Sequence, residues 1–137
     1  GGLVTFFRAV LEPGDEVLCP APYFVEYGAY AGHFGRVLRT VPARPPDFEL
    51  DVAALEAAIR PRTRVVIVNS PNNPAGTVYG EATLRALGEA VARRNAGRER
   101  PIFLVSDEPY RVRPARRGDL RYVPDDWAPS IEIRVPM

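Results

Sequence analysis

An α/β fold with an αβα layered, mostly parallel sheet is predicted by two apolar strands and the helical segment between them. Residues 64–69 (RVVIVN) and 101–106 (PIFLVS) are nearly continuous apolar runs, which is typical of parallel strands buried on both faces. Residues 80–95 between them carry a helical pattern. Strand, helix and strand in this order indicate a βαβ unit, from which parallel sheets are built.

The segments before this unit also alternate between helix and strand. Residues 1–11 are apolar at helical spacing and stop at Pro13 and Gly14, which commonly end helices. Residues 15–19 are predicted to form a short strand, and residues 20–22 (PAP) are predicted to force a turn after it. The other predicted elements are a helical stretch with an aromatic stripe over 23–34, a strand over 35–41, a helix over 52–59 capped by Asp51, and a strand over 130–135.

Length and composition indicate one globular domain and argue against several kinds of partner. The chain has 137 residues, of which 46% are hydrophobic and 26% charged, with a formal net charge of +1. This balance gives no reason to expect nucleic acid or an anionic membrane as partner, and no apolar run approaches the ~20 residues of a membrane span. The single cysteine, Cys19, cannot form an internal disulfide, so a cytoplasmic location is predicted. No metal site is predicted.

Polar clusters follow both strands of the βαβ unit. Residues 70–76 (SPNNPAG) come directly after the first strand, and residues 107–110 (DEPY) follow the second. In parallel sheets ligands bind outside the carboxyl ends of the strands. The pattern therefore nominates Asn73, Asp107 and Tyr110 as parts of one site, with Asp107 and Tyr110 three positions apart, as in a single helical turn.

The two clusters also resemble a known family. Residues 73–76 (NPAG) resemble the Asn-Pro-Thr-Gly motif of class I/II aminotransferases, and residues 106–110 (SDEPY) resemble their Asp-x-x-Tyr segment. The similarity extends upstream through residues 11–27 and fades after about Arg113. These enzymes have PLP fold type I, so the resemblance implies pyridoxal 5′-phosphate (PLP) as cofactor and makes residues 1–137 a partial large domain.

The resemblance assigns cofactor-binding roles to four residues. Tyr23 matches the aromatic residue that stacks on the pyridine ring, and Asp107 matches the carboxylate opposite the ring nitrogen. Asn73 and Tyr110 match the donors to the phenolic oxygen of the cofactor. The alternatives are a core role for Tyr23 and a turn-capping role for Asp107, while Tyr27 is balanced between core and site. The Asn73–Pro74 bond is a candidate cis peptide.

The sequence contains no lysine, because all 18 basic residues are arginine. In the resembled family a lysine, carried by a Ser-x-Ser-Lys element, holds PLP as a Schiff base and moves the proton. No catalytic residue is therefore assigned, and the chain alone is predicted to be inactive. The small domain and the lysine-bearing segment are expected to be absent from it.

The function implied by the resemblance is amino-group transfer between an amino acid and a 2-oxo acid, in a biosynthetic, homodimeric enzyme. Related PLP lyases, synthases and decarboxylases share the same motifs and stay open as alternatives. A further alternative is a non-catalytic or split-enzyme module that binds a partner chain. A nucleotide-binding domain is disfavoured, because the sequence has no Gly-x-Gly-x-x-Gly motif and no phosphate-loop lysine.

Overall fold

The computed structural model describes residues 2–33, 35–108, 130–134 and 136. In this part of the chain a five-stranded sheet has the strand order β2-β1-β3-β4-β5. No helix of the described residues is long and apolar enough to cross a membrane. The elements are α1 Gly2–Val10, β1 Glu16–Ala21, α2 Glu26–Gly32, β2 Val37–Pro42, α3 Val52–Ala58, β3 Thr63–Asn69, α4 Glu81–Asn95, β4 Phe103–Glu108 and β5 Ser130–Arg134.

Four of the five strands are parallel, as predicted, and β5 joins β4 as an antiparallel edge. The chain moves outward from β1 to β2 and then returns to place β3 on the other side of β1. In parallel sheets, ligands usually bind outside the carboxyl ends of the two strands where such a reversal occurs, here β1 and β3. The register of β3 with β4 sets Asn69 opposite Asp107 at this edge.

Two apolar clusters, one on each face of the sheet, confirm the αβα layering. Successive residues of β3 point to opposite faces, so Val65 and Ile67 belong to one cluster while Val66 and Val68 belong to the other. Helices α1 and α2 cover the first face, and α3 and α4 cover the second. All seven residues of β3 are buried, which explains why this strand reads as a continuous apolar run.

Side chains at helix ends connect the layers. The carboxylate of Asp51 accepts a hydrogen bond from Ala54 N at 2.9 Å, which is the predicted cap of α3. At the end of α4, Asn95 Oδ1 accepts from Ile102 N at 2.7 Å and Asn95 Nδ2 donates to Ile102 O at 3.1 Å. Asn95 thus holds the chain where it turns back into β4.

Two strand ends differ from the sequence prediction. β1 continues through Pro20 to Ala21 instead of turning at Pro20. β1 pairs with β3 only as far as Leu18, so Pro20 is paired with β2 alone. Because the strand is hydrogen-bonded on one side there, the missing N–H of proline is tolerated. β4 likewise continues through Asp107 to Glu108, because these residues pair with β5. Asp107 therefore lies in a strand and not in a helical turn.

Candidate functional site

The carboxyl edge of the sheet brings together segments that are far apart in sequence. The turn after β1 carries Tyr23, the loop after β3 carries Asn73, and the end of β4 carries Asp107. Strand order places β1, β3 and β4 side by side, so the three segments emerge at one edge. Tyr110, the fourth predicted site residue, lies outside the described residues.

Asp107 is a buried carboxylate with a hydrogen-bond donor on one oxygen. Asp107 is only 9% exposed, and its Oδ2 accepts a hydrogen bond from the Tyr27 hydroxyl at 2.5 Å. Burial raises the pKa of Asp107 above its ordinary value, and the hydrogen bond from Tyr27 acts against this rise. Burial also raises the pKa of Tyr27, and the neighbouring Asp107 adds to that effect, so the hydroxyl stays protonated and donates.

The other carboxylate oxygen of Asp107, Oδ1, differs from Oδ2 in its surroundings. Among the described residues, no hydrogen-bond partner is recorded for Oδ1 of Asp107, and the residue retains a little exposure at the strand end. A desolvated carboxylate with one open oxygen is a strong acceptor for a cationic N–H donor. The arrangement fits the protonated ring nitrogen of a pyridine cofactor.

Asn69 links the two polar clusters through the nitrogen and the oxygen of its side-chain amide. Its Nδ2 donates to the backbone carbonyl of Asp107 at 2.9 Å, and its Oδ1 accepts from Asn73 N at 2.7 Å. Asn69 is buried, with 3% of its surface exposed. The positions of Asn73 and Asp107 are therefore coupled through one side chain that is itself held in the sheet.

The loop after β3 is closed by the side chain of Asn72. Asn72 Oδ1 accepts from Ala75 N at 3.0 Å, and Nδ2 donates to the carbonyl of Pro22 at 3.3 Å. The second bond ties this loop to the turn that precedes Tyr23. The Asn73–Pro74 peptide bond is cis, as predicted, and Gly76 has φ of 75°, which suits a residue without Cβ.

Tyr23 is half-buried against the apolar cluster on the α1 and α2 side of the sheet. Its neighbour Phe24 contacts the ring of Tyr27 edge to face, with ring centroids 5.7 Å apart. Tyr23 thus belongs to the same apolar cluster as this aromatic pair. Its stacking on a cofactor ring stays a prediction.

The family assignment rests on the match of the chain to known proteins. The family described as aminotransferase class I and II matches residues 1–112. The chain belongs to this family. The resemblance carried by residues 73–76 and 106–110 is thereby confirmed, and both segments lie inside the matched range.

Individual aminotransferases are similar over the same part of the chain. A probable aspartate/prephenate aminotransferase from Thermus aquaticus is 44% identical over 109 residues, covering 79% of this chain and 27% of that protein. The methionine aminotransferase of Escherichia coli is 37% identical over 108 residues, covering 79% of this chain and 26% of that protein. The crystal structure of an amino transferase from Eubacterium rectale has a TM-score of 0.75 and 44% identity, covering 79% of this chain and 27% of that one. The chain therefore spans about a quarter of the length of these relatives.

Two residues that bond to Asp107 were not assigned to the candidate site from the sequence. Tyr27 was balanced between core and site; the structure buries it at 1% exposed, and its hydroxyl donates to Asp107. A hydroxyl on the buried face of an aromatic stripe requires a partner, which is the signal that could have found it. Asn69 is the last residue of β3, and its side-chain amide donates to the backbone carbonyl of Asp107.

The raised pKa of Asp107 predicts a pH-dependent stability difference between the chain and the Asp107→Asn variant. A carboxyl with a raised pKa in the folded state binds its proton more tightly there than in the unfolded chain, so its contribution to stability falls as pH rises from about 4. Urea unfolding of both proteins should therefore show the variant gaining stability relative to the parent as pH rises, up to the folded-state pKa. A difference that is constant with pH would contradict this.

Proposed function

We propose that this chain is part of the cofactor-binding large domain of a PLP-dependent aminotransferase that transfers amino groups between an amino acid and a 2-oxo acid. The observation that carries the proposal is the buried Asp107 carboxylate, in a chain of the aminotransferase family. One of its oxygens has no hydrogen-bond partner among the described residues, and it lies at the edge of the sheet where ligands commonly bind. The relatives are named as aspartate, aspartate/prephenate and methionine aminotransferases, which supports amino-acid substrates.

Four residues would hold the cofactor. Asp107 would accept from the ring nitrogen, Asn73 and Tyr110 would donate to the phenolic oxygen, and Tyr23 would lie against the ring. When bound, PLP supplies a pyridinium ring that withdraws electrons from the reacting carbon. The task of Asp107 is to keep that nitrogen protonated, and a cation beside the carboxylate would in turn lower its pKa and hold it ionised.

Tyr27 would act on this site through Asp107. Its hydroxyl donates to Oδ2, so the carboxylate cannot rotate freely and Oδ1 remains the oxygen for the ligand. The T-shaped contact with Phe24 restricts the Tyr27 ring. Tyr27 is thus proposed as a positioning residue rather than as a group that touches the cofactor.

The catalytic lysine of the reaction would come from outside these 137 residues or from a second chain, because the sequence contains none. We accordingly propose that residues 1–137 are a partial large domain, without the small domain and the lysine segment. A homodimeric, cytoplasmic enzyme with a biosynthetic role is proposed from the family alone.

The binding of pyridoxamine 5′-phosphate tests the proposal. This form of the cofactor has no aldehyde, so it cannot bind covalently to an amino group. Calorimetric titration of the purified chain should show it binding at least about tenfold tighter than the analogue with CH in place of the ring nitrogen, because a charge-assisted hydrogen bond to Asp107 is worth about 1.5–3 kcal/mol. Equal affinity for the two compounds, or binding of neither, would refute the role of Asp107.

A further inference from the structure

We propose that a groove at the amino-terminal edge of the sheet binds the phosphate group of a small molecule, separately from the site at Asp107. The groove has a volume of about 470 Å³, within the range of small-ligand sites. β3 separates the two edges by seven residues, or roughly 20 Å at ~3.3 Å per residue. The residues lining the groove are Asp15, Pro61, Arg62, Arg64, Arg98, Glu99 and Arg100.

The lining has more positive than negative charge. Four arginines and two acidic residues face the groove. Asp15 is already engaged, since Arg100 Nη2 lies 3.0 Å from its carboxylate, and Arg100 Nη1 bonds Glu12 at 2.9 Å. The other three arginines have no ion pair with a carboxylate among the described residues, and only the exposed Glu99 remains to offset them.

Arg64 supplies a buried donor that lacks an acceptor. It is 5% exposed, and one Nη donates to the carbonyl of Arg100, but its Nε has no hydrogen-bond partner in the described part of the chain. Burial and the nearby guanidiniums of Arg100 and Arg98 lower the pKa of Arg64, and the carboxylates of Asp15 and Glu12 act against this fall. An oxyanion in the groove would give this buried guanidinium N–H the acceptor that it lacks.

Arg98 and Arg62 would complete the site. Both Nη atoms of Arg98 donate to backbone carbonyls, to Thr63 O at 2.9 Å and Arg60 O at 2.5 Å, which fix the guanidinium without neutralising it. The Arg62 guanidinium lies against Gly14, where a Cβ would come within 3.3 Å of Nη1. Arg62 thus packs against Gly14 and lines the groove. Planar guanidiniums of this kind pair well with the oxygens of phosphate.

The test is calorimetric titration of the purified chain with inorganic phosphate at low ionic strength, using Arg62→Gln and, as control, Arg85→Gln. Arg85 is an exposed arginine of α4 that pairs with Glu81 and does not line the groove. Phosphate should bind the parent and the control equally and bind Arg62→Gln about tenfold more weakly, since a charge-assisted hydrogen bond is lost. Arg62 is exposed, so this variant should fold.

Three results would overturn the proposal: no phosphate binding by the parent, equal weakening in the control, or unchanged affinity in Arg62→Gln. A second variant, Arg98→Gln, should also weaken phosphate binding. Succinate, a dicarboxylate, should bind the parent more weakly than phosphate does. The result is independent of the proposed cofactor site, because Asp107→Asn should leave phosphate affinity unchanged. A gain of phosphate affinity in that variant, with no loss in Arg62→Gln, would place the phosphate near Asp107 instead, because the substitution removes a negative charge there.

Discussion

Replacing Asp107 with asparagine is expected to weaken the binding of pyridoxamine 5′-phosphate about 100-fold. Removing one partner of a buried charge pair costs about 3 kcal/mol, and every ~1.4 kcal/mol is a factor of ten in affinity. Asparagine keeps the shape of the side chain, and its amide oxygen can still accept from the Tyr27 hydroxyl. The loss would therefore report the charge opposite the ring nitrogen and not a collapse of the site. Calorimetric titration of parent and variant measures it.

The matched control is Asp47→Asn, which removes an exposed carboxylate in the loop after β2. It should leave the affinity within a factor of about two, since surface changes are usually worth less than ~0.5 kcal/mol. The phosphate of the cofactor raises a second possibility, namely binding in the arginine groove. Arg62→Gln separates the two sites. It should weaken the binding of inorganic phosphate, but it should leave unchanged the affinity difference between pyridoxamine 5′-phosphate and the analogue with CH in place of the ring nitrogen. If Asp47→Asn lowered cofactor affinity as much as Asp107→Asn, the charge at Asp107 would have no special role.

The same substitution should affect stability with the opposite sign. Without a cofactor, the ionised Asp107 carboxylate is buried with one hydrogen bond from Tyr27, so its desolvation is only partly compensated. A neutral amide removes that desolvation penalty at neutral pH. The edge at Asp107 thus carries a charge that is unfavourable for the folded chain alone and favourable once a cation occupies it, which is a common relation between stability and function at binding sites.

The fold could be predicted from the sequence because its signals are local. The apolar run of β3, the helical pattern of α4 and the cap at Asp51 each lie within a few residues, and the structure places all three as predicted. The strand ends at Ala21 and Glu108 could not be predicted in the same way. There the neighbouring strands decide how far pairing continues, and proline or acidic residues near a strand end do not report on those neighbours.

The site could be predicted only in part, for a related reason. Strand-end position and motif nominated Asn73 and Asp107, which the structure brings to one edge. The bond between Tyr27 and Asp107 joins residues 80 positions apart, and no periodicity in the sequence encodes such a pair. The same is true of the groove, where Asp15 and Arg100 come from segments 85 positions apart. Composition alone, with a net charge of +1, gives no sign of that local excess of positive charge.

Replacing Asn69 with leucine is expected to reduce the free energy of unfolding by about 2 kcal/mol, because it removes two hydrogen bonds and leaves a backbone N–H without its acceptor. Leucine has the same number and branching of side-chain heavy atoms as asparagine, so the change removes the polar atoms without leaving a cavity. The carbonyl of Asp107 keeps a hydrogen bond from Ser70 N at 3.3 Å, and the main cost therefore falls on Asn73 N. Urea unfolding, followed by circular dichroism, measures the difference.

Thr77→Val is the matched control, since it also exchanges a polar side chain of the same loop for an apolar one of similar shape. It removes an exposed hydrogen bond to the carbonyl of Asp47, so water can replace the lost partner and the change should stay within about 0.5 kcal/mol. If Asn69 also couples Asn73 to Asp107, Asn69→Leu should weaken the binding of pyridoxamine 5′-phosphate under conditions in which the variant is still folded. A variant that is less stable yet binds with full affinity would show that Asn69 supports the sheet edge without positioning the site.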